Sequence, residues 1–200
     1  SWGGGWLSEL GFYDFAGSGI VHLAGATAAL VAVLLIGPRL GKYTKDGKPK
    51  PIHGSNAAQV TLGTLILWMG WFGFNGGSAL GANGGAGMAI AVTHISASTA
   101  CLVWVAIEWI KFGKPSLVGI ATGAIAGLAT ITPGSGFVGP VGALVFGALA
   151  GVICFFMISV IKNTWKIDDS LDVFAVHGVG GILGILLTSI FADASAGGVG

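Results

Sequence analysis

Residues 14–22 read DFAGSGIVH and residues 169–177 read DSLDVFAVH. In each stretch an aspartate is followed, after seven intervening residues, by a histidine that valine precedes, and apolar sequence surrounds both. Placing an ionisable group inside a membrane-spanning helix costs about 2–3 kcal/mol or more. Two such groups at matching positions in two apolar segments therefore predict a pathway through a membrane rather than a coincidence.

The composition of the chain excludes an ordinary soluble domain. Of its 200 residues 54% are hydrophobic and 8% are charged, and the mean hydropathy is +0.87. A helix of about 20 apolar residues crosses the hydrocarbon layer. Stretches near or above that length lie at residues 16–36, 55–75, 85–110, 116–132, 138–161 and 171–191. Their apolar runs are continuous, unlike the alternating strands of an outer-membrane barrel. We therefore predict an all-α, multi-pass membrane protein with six transmembrane helices, in which residues 1–200 form one partial membrane domain.

The basic residues set the expected orientation. All nine lie in three connections between predicted helices: Arg39, Lys42, Lys45, Lys48 and Lys50, then Lys111 and Lys114, then Lys162 and Lys166. The positive-inside rule places these connections in the cytoplasm and both ends of the chain outside, in a plasma or inner membrane. We interpret the charge of the first connection, residues 37–54, as a source of solubility and topology. A docking surface for a soluble partner is the alternative.

The two aspartate-to-histidine segments are expected to run in opposite directions across the bilayer. Eight residues of helix rise about 12 Å, so each histidine should lie near the centre of a layer about 30 Å thick. Inverted repeats with a site near the midplane are a frequent transporter plan. The alternative is two unrelated core histidines, each hydrogen-bonded to a carbonyl group.

The aspartates and histidines in these segments call for different roles. Asp14 and Asp169 most simply cap their helices by accepting from first-turn N–H groups, and we favour that role over substrate binding. A low dielectric disfavours charged imidazolium. His22 and His177 should therefore be uncharged at neutral pH, able to share a proton and to offer one donor and one acceptor.

The segment from Asp14 to His22, with its continuation through Gly37-Pro38-Arg39, resembles the signature of the Amt/Mep/Rh ammonium transporters over 26 residues. Two further blocks are similar to that family: residues 71–78, WFGFNGGS, and residues 172–178, DVFAVHG. Members of the family have eleven helices arranged as two inverted halves of five and a last one. This chain resembles helices five to ten, so we expect four preceding helices and a terminal helix to be absent from it.

The resemblance implies a pore through each subunit of a homotrimer, selective for ammonium and methylammonium. Trp2 and Ser78 would form the outer cation site with the carbonyl of Ala16, and Phe74 would be part of an outer aromatic gate. His22 and His177 would be the twin histidines midway through the pore, with Trp71 beside them. A PII-type signal protein would bind at the cytoplasmic mouth.

Elementary chemistry agrees with these implied roles but leaves simpler ones open. An indole face can replace part of the hydration of ammonium through cation–π attraction, and a serine hydroxyl can accept one of its hydrogen bonds. A full charge in hydrocarbon is prohibitive, so deprotonation would let the neutral amine cross. Trp2 could instead belong to the interfacial aromatic belt. Ser78 could cap a turn, and Phe74 and Trp71 could pack in the core.

Other classes of function find less support in the sequence. Metalloprotease H-E-x-x-H and hydrolase G-x-S-x-G motifs are absent, so we expect no enzyme. A divalent-metal carrier would need a third acidic or thiol ligand at helical spacing, and residues 134–139, GSGFVG, lack the strand context of a nucleotide site. We expect no cofactor, no metal and no nucleic-acid partner. Membrane lipid is expected to surround the helices. The alternative to transport is that the chain forms the membrane module of an ammonium sensor fused to a signalling domain.

Overall fold

The computed structural model describes residues 2–198, which form helices and connecting loops without a β-strand. The long helices are α1 Ser18–Ile36, α2 Ala57–Gly77, α3 Gly84–Phe112, α4 Leu117–Ile131, α5 Pro140–Thr164 and α6 Phe174–Phe191. A one-turn helix, Trp6–Glu9, precedes them and a short 3-10 helix, Ala194–Ala196, follows. The all-α prediction is confirmed, and each predicted segment contains a helix at nearly the predicted bounds.

Helix α4 differs from the others in length. Among the described residues, five helices are long and apolar enough to cross a membrane, and α4 is the shorter apolar one, with 15 residues. At 1.5 Å per residue it spans about 22 Å. The turn at residues 132–137, which contains Pro133, ends it. This turn is largely buried in protein, where backbone N–H and C=O groups find partners that lipid could not supply.

Helix α3 packs against both α4 and α5. Glycines four residues apart on α4 and α5 provide the close approach, since small residues at this spacing let helix backbones come together. A Cβ atom on Gly127 would lie 2.5 Å from the carbonyl oxygen of Ser96 on α3, and one on Gly151 would lie 3.0 Å from that of Ala100. These glycines are therefore structural, because a side chain there would separate the backbones.

Gly184 gives a direct test of this packing. Its substitution by alanine would drive Cβ into the carbonyl oxygen of Thr130 on α4, whereas alanine at Gly25 would meet no atom within 4 Å. We expect Gly184→Ala to lower the melting temperature of the detergent-solubilised protein by several degrees, a loss of about 1–3 kcal/mol. Gly25→Ala should be neutral or slightly stabilising because alanine favours helix. Equal melting temperatures for the two variants would contradict the packing described.

A set of polar contacts fixes the basic loop, residues 37–54, against the segment between α5 and α6. The guanidinium of Arg39 donates to both carboxylate oxygens of Asp168 at 2.8 Å, and the Arg39 backbone N–H donates to the same carboxylate at 3.0 Å. The hydroxyl of Tyr43 donates to the carbonyl of Lys162 at 3.0 Å, and Lys162 pairs with Asp172. These contacts therefore hold the basic loop against the segment that leads into α6, the helix that carries His177.

The Arg39–Asp168 pair predicts an acid-dependent loss of stability. Hydrogen bonding from Arg39 lowers the pKa of Asp168 from 3.8 to about 2. A carboxyl whose pKa is depressed on folding stabilises the protein above its unfolded-state pKa, and this contribution disappears as the pH falls from about 4 to about 2. Asp168→Asn should melt below the wild type at about pH 7, and the difference should shrink to nothing near pH 2. Asp46→Asn, on the exposed part of the same loop, is the matched control. A difference that stayed constant with pH would contradict the ion-pair explanation.

Candidate functional site

The first turn of α1 is organised by Asp14, which is buried. Its Oδ1 accepts from the N–H groups of Gly17 and Ser18 at 3.0 and 2.7 Å, and its Oδ2 accepts from Gly19 and Ile20 at 2.7 and 3.3 Å. Gly17 adopts a left-handed conformation with φ of 118°, which turns the chain back over the carboxylate. The carboxylate thus satisfies donors that a helix start leaves free.

Asp169 has the same role at the start of α6. Its carboxylate accepts from the N–H groups of Val173, Phe174 and Ala175 at 2.9, 2.8 and 3.3 Å. Both helices begin as π-helix, over Ser18–Leu23 and Phe174–Gly178, before continuing as α-helix. The π-helix is rare and concentrates at functional sites. Each of these two segments carries one of the two histidines, whereas a third π-helical segment, Val160–Thr164 at the end of α5, carries none.

The two histidines meet side by side. His22 Nδ1 lies 3.2 Å from His177 Nδ1, and their ring centroids are 5.1 Å apart. Trp71 of α2 stacks on His22 at 5.1 Å with an interplanar angle of 13°, and it is nearly parallel to His177 at 6.3 Å. The ring of Phe74 is 5.7 Å from His22. Four predicted site residues from three helices therefore form one aromatic cluster.

The contact between the two Nδ1 atoms constrains the protons of the pair. If both rings are neutral, one Nδ1 carries hydrogen and donates while the other accepts. The ring that donates through Nδ1 has a bare Nε2, and its partner has a protonated Nε2. The pair thus presents one donor and one acceptor away from the contact. His22 Nε2 is buried and has no hydrogen-bond partner among the described residues, so its hydrogen-bonding capacity is unused.

Cavities approach the histidine pair from two sides. One, of about 350 Å³, is lined by His22, Ile66, Leu67, Gly70, Trp71 and Phe74. Another, of about 360 Å³, lies beyond His177 and also reaches Leu67. It extends to Asp172, and its wall includes the hydroxyl-bearing residues Thr64, Thr122 and Ser170. An open cleft therefore borders each ring, one beside His22 and the other beside His177.

The residues predicted for the outer cation site are close to this cluster but are not joined into a finished site. Trp2 is 54% exposed, and its indole N–H donates to the carbonyl of Asp14 at 3.1 Å. Ala16 is buried, two residues further along. The Ser78 hydroxyl donates to the carbonyl of Phe74 at 2.8 Å, so its oxygen keeps lone pairs for a cation. Among residues 2–198 no hydrogen bond joins Trp2 to Ser78.

The structure adds residues that the sequence analysis did not identify. The indole N–H of Trp71 donates to the hydroxyl of Thr132 at 2.9 Å. The hydroxyl of Ser18, in the π-helical turn, donates to the carbonyl of Ala129 on α4 at 2.8 Å. No sequence motif marks either contact, since both join residues far apart in the chain. Within the described residues, no three His, Cys, Asp or Glu side chains lie close enough to hold a metal ion.

Comparison with known proteins identifies relatives of this arrangement. The chain matches the model of the Ammonium Transporter Family over residues 1–199. The ammonium transporter of Aquifex aeolicus is 48% identical, over 98% of this chain and 45% of that protein. Ammonium transporter Amt1 of Archaeoglobus fulgidus is 47% identical, over 98% and 49%. The chain thus spans about half the length of the curated relatives it matches.

Solved structures give the same result. A protein named Sensor Amt Protein superposes with a TM-score of 0.93 at 41% identity, over 96% of this chain and 47% of that one. Mep2 of Candida albicans superposes with a TM-score of 0.87 at 40% identity, over 97% and 42%. The helices described above therefore have the same arrangement as the matching part of each solved structure, which is a little under half of its length.

Proposed function

Since the chain belongs to the ammonium transporter family, we propose that the full-length protein carries ammonium and methylammonium across a cell membrane by binding the cation, deprotonating it and passing the neutral amine. Family membership and the apolar helices make it an integral, multi-pass membrane protein. The observation that carries the proposal is the contact of His22 with His177, with an open cleft beside each of the two residues.

Recruitment takes place on the side of Trp2 and Ser78. The half-exposed indole of Trp2 offers its face to a cation, an attraction of about 0.5–2 kcal/mol. Ser78 and the carbonyl of Ala16 supply hydrogen-bond acceptors, which replace part of the water lost by ammonium. Phe74, between this side and His22, is the gate residue. A second aromatic ring from the part of the protein outside this chain would complete the gate.

Passage beyond Phe74 requires a neutral molecule. Ammonium would be expensive to bury among Trp71, Phe74 and apolar side chains without a counter-charge. Ammonia can both donate and accept, which matches the donor and acceptor Nε2 atoms of the histidine pair. The amine leaves through the cavity beyond His177, where Asp172 and hydroxyl groups favour its return to the ammonium form. The proton crosses separately.

Orientation and assembly follow from the same family reasoning. The basic loop, residues 37–54, faces the cytoplasm, and both ends of this chain face outward. The full-length protein assembles as a homotrimer with one pore per subunit. A PII-type signal protein docks at the basic face, and deletion of residues 44–50 is expected to weaken that binding. Unchanged binding after the deletion would remove the loop from the docking surface.

A membrane module of an ammonium sensor is the second candidate function. The observation that favours it is the likeness to the solved Sensor Amt Protein, at a TM-score of 0.93. Such a module would use the same aromatic and histidine residues to bind ammonium. The complete reading frame distinguishes the two, because a kinase-like or cyclase-like region after Gly200 supports the sensor.

Uptake by the purified full-length protein tests the transport proposal. In proteoliposomes it is expected to accumulate radiolabelled methylammonium, and unlabelled ammonium should compete while potassium and sodium should not. In cells without other ammonium uptake it should restore growth on low ammonium. Correctly inserted protein that moved no methylammonium above the rate of empty vesicles would contradict transport.

A further inference from the structure

Thr132 lies at the junction of the histidine cluster and the outer site. It is fully buried at the end of α4. Its hydroxyl donates to the carbonyl of Leu128 at 2.7 Å and accepts from the indole N–H of Trp71 at 2.9 Å. Because a hydroxyl has one hydrogen and an indole N–H can only donate, both partners have fixed roles. The orientation of the Trp71 ring is thereby tied to α4.

The main chain of the same residue holds the other part of the site. The carbonyl of Thr132 accepts from the N–H of Ala16 at 3.3 Å, and the next carbonyl, of Pro133, accepts from the N–H of Phe15 at 3.0 Å. The Ser135 hydroxyl also donates to the Thr132 carbonyl, at 3.2 Å. Ala16 is the residue whose own carbonyl is assigned to the outer cation site. One buried residue therefore contacts both the stack on His22 and the backbone of that outer site.

We propose that Thr132 is a positioning residue for conduction, which holds the Trp71 plane against His22 and His177 and keeps that stack in register with Ala16. The inference rests on the transport function proposed above. Thr132 acts through Trp71 and does not itself bind the cation. Its hydroxyl selects one orientation of the indole, because burial of an N–H group without an acceptor is unfavourable.

The matched test removes the acceptor and keeps the shape. Thr132→Val is nearly isosteric but leaves the Trp71 N–H without a partner, so the ring turns away from its angle of 13° to His22. We expect the maximal rate of methylammonium uptake by the full-length protein to fall about tenfold, with a smaller change in KM. Thr132→Ser keeps the hydroxyl and should restore the rate to within about twofold of the wild type.

Thr188→Val controls for the loss of a buried hydroxyl as such. Thr188 is equally buried and makes the same kind of bond, to the carbonyl of Gly184 at 2.8 Å, but it has no aromatic partner among the described residues. The Thr188→Val protein should therefore take up methylammonium at the wild-type rate. An effect of Thr188→Val as large as that of Thr132→Val would overturn the proposal, since the hydroxyl would then matter only for folding.

Removal of the donor as well as the acceptor decides whether Thr132 acts through Trp71. Trp71→Phe lacks the N–H, so Thr132→Val should have no further effect on uptake in that background. The double variant should also fold at least as well as Thr132→Val, because loss of both partners leaves no orphan donor. Additive losses in the double variant would overturn the proposal.

A structure of the full-length Thr132→Val protein separates this inference from the transport proposal. A changed Trp71 plane supports positioning, and an unchanged plane beside His22 overturns it, whatever the uptake rate. Wild-type protein that takes up no methylammonium would instead contradict transport. If Thr132→Val does not insert into membranes, uptake by the double variant is compared with uptake by Trp71→Phe, and a further loss in the double variant overturns the inference.

Discussion

Replacement of His22 by leucine in the full-length protein is expected to lower methylammonium uptake about a hundredfold. Leucine removes the Nδ1 contact with His177 and the free Nε2 in the cavity lined by Phe74. A neutral amine then crosses beside apolar atoms without a hydrogen-bond partner, and His177 loses its own. Each unmet hydrogen bond costs about 1–3 kcal/mol, and about 3 kcal/mol corresponds to a hundredfold in rate. Initial uptake into proteoliposomes measures this.

His94→Leu is the control for the His22 experiment. His94 is also on a membrane helix, but its ring lies against Trp68 at 5.5 Å and Phe72 at 6.0 Å, away from the histidine pair. This substitution should leave uptake within about twofold of the wild type. Wild-type uptake and selectivity in His22→Leu would remove the histidine pair from the conduction pathway. Equal losses of uptake in His22→Leu and His94→Leu would indicate that both substitutions impair folding, and would contradict a specific role of His22 in conduction.

Asp14→Ala is expected to have the largest effect on stability. The variant leaves four backbone N–H groups without their acceptor in a buried turn. Hydrogen bonds to a charged group contribute about 1.5–3 kcal/mol each, and water can replace some of them, so we expect a loss on the order of 4 kcal/mol. The protein should therefore be recovered poorly from membranes, with a melting temperature lowered by at least about 10 °C.

Two further variants separate capping from substrate binding at Asp14. Asp14→Asn keeps one acceptor oxygen and should have an intermediate melting temperature. Asp193→Ala removes an exposed aspartate that accepts from the N–H of Ser195 at the start of the last short helix, and it should change the melting temperature little. A stable, folded Asp14→Ala protein that fails only in uptake would contradict the capping role and favour a direct contact with the cation.

The local features of this molecule could be predicted from sequence. Apolar length located the helices. The spacing from Asp14 to His22, repeated from Asp169 to His177, predicted two matching helix starts, each with a capping aspartate and a histidine. That both histidines lie in the middle of the layer stays a prediction. Each of these depends on residues that are near one another in the chain. The chemistry of one helix start or one helix face is enough to predict them.

The features that the sequence analysis did not reveal depend on contacts between distant segments. The π-helical starts of α1 and α6 have no composition signal, because the same residues would be acceptable in an α-helix. The pairing of Arg39 with Asp168 joins the basic loop to a segment more than a hundred residues away. Glu108, near the end of α3, accepts from the N–H and hydroxyl of Ser116 at the start of α4.

The short helix α4 shows a limit of the length rule. We predicted a membrane-spanning helix at residues 116–132 because the stretch is apolar. The structure ends it at Ile131 and continues into a buried turn, in which Thr132 and Pro133 bind the backbone of Ala16 and Phe15. Protein rather than lipid surrounds this end, so the helix does not need the full thickness of the bilayer. Because α4 ends at Ile131, the turn at residues 132–137 lies beside the backbone of Phe15 and Ala16.

Conduction as proposed depends most on the contact between two imidazoles, from opposite ends of the chain, along one passage. A cryo-electron microscopy map of the full-length protein in lipid nanodiscs tests this directly. We predict that His22 Nδ1 and His177 Nδ1 remain within hydrogen-bond distance, near the 3.2 Å seen here, and that both rings face an enclosed channel. Rings that face lipid, or that lie on separate sides of the bundle, would contradict the account.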